Sequence, residues 1–90
     1  MKLKDGYILR EIAGDAVLIP VGRNALEFNG IIALNPVSAD IWKWIQNGCS
    51  TEEILESILE ECDVSRTVAK DDLDAFLEQL RQLNILDVSE

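Results

Sequence analysis

At Asn35-Pro36 the periodicity of this chain changes, and that change limits the folds open to it. Before the junction apolar residues recur at every second position; after it they recur at three and four. Ile31, Ile32, Ala33 and Leu34 form a short apolar run of strand type. Asn35 can cap a helix through its side-chain oxygen, and Pro36 suits a first helical turn, where an N–H would find no helical partner. A chain of 90 residues with one such switch is expected to form a single domain over residues 1–90. Its class is α+β, a three-stranded antiparallel sheet followed by three helices that cover one of its faces.

The strand half begins at Tyr7. Ile8 and Ile12 fall on one face of residues 7–13, and Tyr7, Leu9 and Ala13 on the other. Gly14-Asp15 offers the backbone freedom of a tight turn. Residues 16–21 return as a second strand in which Pro20, unable to donate to a ladder, belongs near the end or at a bulge. Residues 22–25 read as a loop. Leu26, Phe28, Gly30, Ile32 and Leu34 alternate, yet Asn29-Gly30 is also a hairpin dipeptide. The third strand is therefore centred on residues 30–34, with 25–29 irregular or weakly extended.

The first helix is expected over residues 36–47, ending at Gly48, with Val37, Ile41, Trp44 and Ile45 on its apolar face. Trp42 falls off that stripe and is expected half exposed. Ser50-Thr51-Glu52-Glu53 has the form of a capping box. The helix it opens carries Ile54, Leu55, Ile58, Leu59 and Cys62 at core spacing. Residues 63–67 interrupt the pattern and offer Ser65 and Thr67 as caps. The third helix has the longest stripe, Ala69, Leu73, Phe76, Leu77, Leu80 and Leu83. Asn84 can end it, and Ile85-Leu86 folds the tail back on the core.

The net charge of −9 lies entirely in the helical half. Up to residue 49 five cations balance five acids; from Ser50 onward only Arg66, Lys70 and Arg81 oppose twelve acids. Such a surface repels a phosphate backbone and keeps a small domain soluble, so no nucleic-acid partner is expected. No apolar run reaches the ~20 residues of a membrane span and residues 1–6 contain no apolar signal segment, so the expected location is cytoplasmic, without a membrane partner.

Catalytic constellations are absent from the sequence. There is no His, and Cys49 and Cys62 are too widely spaced for a CxxC pair. Neither a metal, a cofactor nor a catalytic residue is expected, and the cysteines read as thiols of a reducing compartment. Acid pairs such as Glu60-Glu61 and Asp71-Asp72 point in different directions on a helix and read as surface. What remains is binding. A three-stranded meander leaves its third strand at an edge, where unpaired backbone groups can accept a foreign strand. The alternatives are that the chain's own tail or a second subunit covers that edge.

Ala33-Leu34-Asn35, Ile41-Trp42, Gly48 with Ser50-Thr51-Glu52-Glu53-Ile54, Asp72 with Phe76-Leu77 and Leu80, and Leu83-Asn84-Ile85-Leu86 together resemble the PqqD family of RiPP recognition elements. The resemblance spans roughly residues 9–87 and departs where other members have Gly in place of Asn84. It implies a winged helix-turn-helix domain without catalytic activity. Such a domain binds the leader segment of a ribosomally made precursor peptide and presents it to a modifying enzyme, often a radical SAM protein. Carried over by position, the leader adds as a strand beside Gly30, Ile31, Ile32, Ala33 and Leu34. It would lie against the exposed side of the third helix at Lys70, Leu73, Asp74, Leu77 and Arg81. Asn35 matches the pattern but is read as a helix cap.

Two rival readings remain. A winged-helix DNA-binding regulator would send the third helix into the major groove, where Arg66, Lys70 and Arg81 are outnumbered by acids. A structural subunit or homodimer would pair the edge strand across two copies.

Overall fold

The computed structural model describes residues 2–4, 6–22 and 31–87. Its strands are β1 (Lys2–Leu3), β2 (Tyr7–Ile12), β3 (Asp15–Pro20), β4 (Ile32–Leu34) and β5 (Leu86–Asp87), and its helices are α1 (Pro36–Gln46), α2 (Thr51–Glu61) and α3 (Arg66–Gln82). β2, β3 and β4 form an antiparallel sheet in that order, and the three helices follow it in the manner of a winged helix. A second, two-stranded sheet pairs β1 with β5, joining the two ends of the described chain.

The hairpin turn lies one residue earlier than the Gly14-Asp15 expectation. Ile12 pairs with Asp15, leaving Ala13 and Gly14 as the loop with φ of 52° and 85°. Two positive φ values make a type I′ turn, whose twist matches that of the flanking strands. Tyr7 and Leu9 pack against the core, whereas Ile8 and Ile12 turn outward with 39% and 60% of their surface exposed.

β4 is shorter than the expected strand over residues 30–34, and Pro20 accounts for it. Ala16 pairs with Leu34 and Leu18 with Ile32, so alternate β3 residues bond toward β4. Pro20 is next in that series and has no N–H to give, so the ladder stops. Ile31 precedes the strand and is 62% exposed. Gly30, the segment 25–29 and the loop expected at 22–25, apart from Gly22, lie outside the described residues.

Local chemistry sets the helix boundaries. The Asn35 side chain accepts from the Ser38 amide at 2.8 Å, with Pro36 in the first turn. Ser50 and Glu53 form the reciprocal capping box, Glu53 N–H to Ser50 Oγ at 3.2 Å and Ser50 N–H to Glu53 Oε1 at 2.9 Å. These bonds to the charged form hold the Glu53 carboxyl below its ordinary value. Of the two caps offered for α3, Ser65 serves, accepting from the Val68 amide, and Thr67 lies inside the helix. Gly48 and Asn84, at φ of 83° and 62°, take the left-handed positions after α1 and α3.

The core joins Leu18, Ile32 and Leu34 of the sheet to Ile41, Trp42 and Ile45 of α1, Ile54 and Ile58 of α2, and Leu73, Phe76 and Leu80 of α3. Trp42 corrects the expectation of half exposure, being 1% exposed. α1 packs on β1 as well as on the sheet and the other helices, so Leu3 and Tyr7 close the side on which Trp42 projects. One apolar stripe cannot report a helix covered from two directions. Ile85 and Leu86 are buried, as expected of the folded-back tail, and their strand partner β1 is an addition to the sequence reading.

Candidate peptide-binding site

Among the described residues β4 pairs with β3 alone, so its other side is a free edge. Register decides which groups that edge offers. Ile12 and Asp15 close the hairpin as a hydrogen-bonded pair, and at the far end the Val21 N–H donates to Gly6 O at 2.8 Å. Positions 15, 17, 19 and 21 therefore bond toward β2, and 16 and 18 toward β4. Ile32 and Leu34 spend their backbone groups on Leu18 and Ala16, while the N–H and C=O of Ala33 point away from the sheet. The same alternation turns the backbone of Ile31 outward. Ile32 and Leu34 bury their side chains, and those of Ile31 and Ala33 are exposed.

The edge runs into a groove of about 250 Å³ between the start of α1 and α3. Val37, Ile41, Ala75 and Phe76 give it apolar walls, and Asn35, Ser38, Asp72 and Gln79 a polar rim. Asn35 directly follows β4, so edge and groove are continuous. Asp72 makes no ion pair among the described residues, and the cations of α3 are engaged elsewhere. Lys70 faces Asp74 at 3.7 Å, Arg81 faces Glu78 at 2.5 Å, and Arg66 reaches Glu56 at 3.1 Å. The groove therefore presents an uncompensated carboxylate beside apolar walls, suited to an extended peptide with apolar and cationic side chains.

The structure brings Ile31, Ile32, Ala33 and Leu34 to this edge. It does not bring the predicted helix residues to the groove. Leu73 is 1% exposed and belongs to the core, because the stripe it shares with Ala69, Phe76 and Leu80 faces the sheet and the other helices. Lys70, Asp74, Leu77 and Arg81 lie on the other flank of α3, roughly 160° around from Asp72, Ala75 and Gln79 at ~100° per residue. The flank that lines the groove carries Asp72, Ala75 and Gln79, spaced i, i+3, i+7 around a small residue. Nothing local marks that flank as the one facing the start of α1.

No helix among the described residues is long and apolar enough to cross a membrane. No group of three or more His, Cys, Asp or Glu among them is placed to hold a metal ion.

The fold has solved relatives. A chain solved as TbiB1 in complex with the TbiA(beta) leader peptide superposes with a TM-score of 0.79 at 27% identity, covering 100% of this chain and 99% of that one. A second, solved as lasso peptide synthetase B1 complexed with the leader peptide, has a TM-score of 0.77 at 20% identity and covers 93% of each chain. No curated protein matches the sequence. The family model for coenzyme PQQ synthesis protein D (PqqD) matches residues 15–86, from the first residue of β3 to the first of β5, and the chain belongs to the PqqD family.

Proposed function

We propose that this chain is a peptide-binding adaptor in the biosynthesis of a ribosomally made, enzymatically modified peptide. It takes the leader of the precursor as an added strand on β4 and presents the attached core to a modifying enzyme, a radical SAM maturase in the fullest form of the proposal. It performs no catalysis itself and works in the cytoplasm. The observation that carries this reading is the unpaired backbone of Ala33 and Ile31 beside an apolar groove. It is supported by the likeness to TbiB1, which was solved with a leader peptide bound. On this reading the leader also contacts the groove walls at Val37, Ser38, Ile41, Asp72, Ala75, Phe76 and Gln79.

The DNA-binding alternative gains nothing from the structure. Each cation of α3 is paired with a carboxylate of α2 or α3, so a phosphate backbone would meet a neutral or negative surface.

Titration of the labelled chain with the leader of a precursor encoded beside it, followed by amide NMR, tests the proposal. Saturable shifts are expected at residues 31–34 and at Asp72, Ala75 and Gln79. Shifts confined to other surfaces, or none at saturating peptide, would sink it.

A further inference from the structure

The sheet's outer face is apolar where an antiparallel sheet usually meets water with polar side chains. Tyr7, Leu9, Ala16, Leu18, Ile32 and Leu34 face the core. Alternation therefore sends Ile8, Arg10 and Ile12 of β2, Asp15, Val17 and Ile19 of β3, and Ile31 with Ala33 to the outer face. Of these only Arg10 and Asp15 are charged. Ile12 and Ile31 keep 60% and 62% of their surface exposed, and Ile8 39%.

Register arranges this face in rows. Ile8 pairs with Ile19, and one step beyond the Leu18–Ile32 pair the same register sets Ile31 across from Ile19. Arg10, Val17 and Ala33 form the next row. Between β3 and β4 the outer-face pairs are of the non-hydrogen-bonded kind, in which side chains stand closest. The isoleucine row ends in the open at Ile31, and the second row ends in the Ala33 methyl. Both ends lie at the edge where the leader adds.

A strand bonded to the outward N–H and C=O groups of Ile31 and Ala33 has its parity fixed. Its residues opposite these two are two apart in sequence with side chains on the outer face, and the residue between them points to the groove side. One outer side chain extends a row of three isoleucines. The other meets Ala33, too small to wall it off, and reaches over it toward Val17, which is 8% exposed. A charged side chain at either place would lose water against an apolar surface and gain no partner, because Arg10 stands two strand spacings, about 10 Å, from β4.

We propose that this outer face selects the leader together with the groove, and that the leader residues opposite Ile31 and Ala33 are apolar. The inference rests on the adaptor reading and narrows its substrate class. The recognised segment is apolar on both faces, a continuous run rather than the alternating pattern of an ordinary edge strand. Ile31 carries most of the discrimination, since it presents the larger exposed apolar surface.

The test uses the full chain with the leader of a precursor encoded beside it. Nuclear Overhauser contacts from the Ile31 and Ala33 methyls identify the two leader residues, each expected to be Val, Ile, Leu or aromatic. Replacing both by Thr, which keeps strand propensity but adds a hydroxyl, should weaken binding roughly threefold to tenfold. Ile31→Thr should shrink that penalty to below about twofold, whereas Ile12→Thr, as exposed but on β2, should leave it whole. Neither variant should move the urea midpoint, both positions being exposed. Polar leader residues beside Ile31 and Ala33, no contact from the Ile31 methyls, or a penalty that survives Ile31→Thr overturns the inference, while amide shifts at 31–34 still uphold the adaptor reading. A leader that shifts none of those amides removes the reading and the inference together.

Discussion

Ala33→Pro isolates the backbone of the β4 edge from everything else the strand does. The Ala33 N–H points away from β3, so the fold loses no hydrogen bond when it is removed. Proline is tolerated on an edge strand in that orientation, and Ile32 before it is already extended, as the residue preceding proline prefers. The expected change in folding stability is below about 1 kcal/mol. Leader binding fares differently. The added strand loses one main-chain bond, worth ~0.5–1.5 kcal/mol net, and its own carbonyl is left facing a ring with no donor, at a cost of ~1–3 kcal/mol. With ~1.4 kcal/mol per factor of ten, the leader should bind roughly tenfold to a thousandfold more weakly. Fluorescence anisotropy of a labelled leader, read beside a urea melt, measures both quantities. Ile32→Pro is the contrasting variant, because the Ile32 N–H is spent on Leu18 and the whole domain should be destabilised. A folded Ala33→Pro that binds within twofold of the parent would refute strand addition at β4.

Four further outcomes follow from local geometry. Ser50→Ala should cost about 1 kcal/mol in a urea melt by removing the α2 capping box. Glu53 is held below its ordinary 4.5, so its contribution is present above that value and lost as pH falls through the lower folded one; Glu53→Gln should flatten that acid limb. Ala13→Asn should raise the urea-derived stability by a few tenths to about 1 kcal/mol, since a non-glycine residue at φ 52° is strained and Asn-Gly favours this turn. Trp42→Phe removes the unpartnered indole N–H along with some volume, so thermal melts should show a loss well short of the ~3–5 kcal/mol typical of Trp→Ala in a core.

The order and kinds of elements were legible in the sequence because the signals for them act over a few residues. Asn35, Ser50 and Ser65 reach amides three positions on, and Gly48 and Asn84 accept a left-handed backbone without help from afar. Pro20 even carried the information that ends β4, through a donor that it lacks. The apolar periods likewise showed which residues of each helix seek cover, and for α3 the core followed that stripe through Ala69, Leu73, Phe76 and Leu80.

Tertiary structure decided what covers each face. A helix stripe has two flanks, and only the packing of α3 against α1 turned Asp72, Ala75 and Gln79 toward the groove and left Lys70, Asp74, Leu77 and Arg81 on the far side. Trp42 was buried by β1, a two-residue strand held by β5 from the opposite end of the described chain, a pairing no local pattern announces. The edge position of β4 thus followed from strand order in a three-stranded meander, whereas the wall beside it could not be read from the sequence. Hydrogen bonds and periodicity are properties of neighbours along the chain, and a groove is a property of neighbours in space.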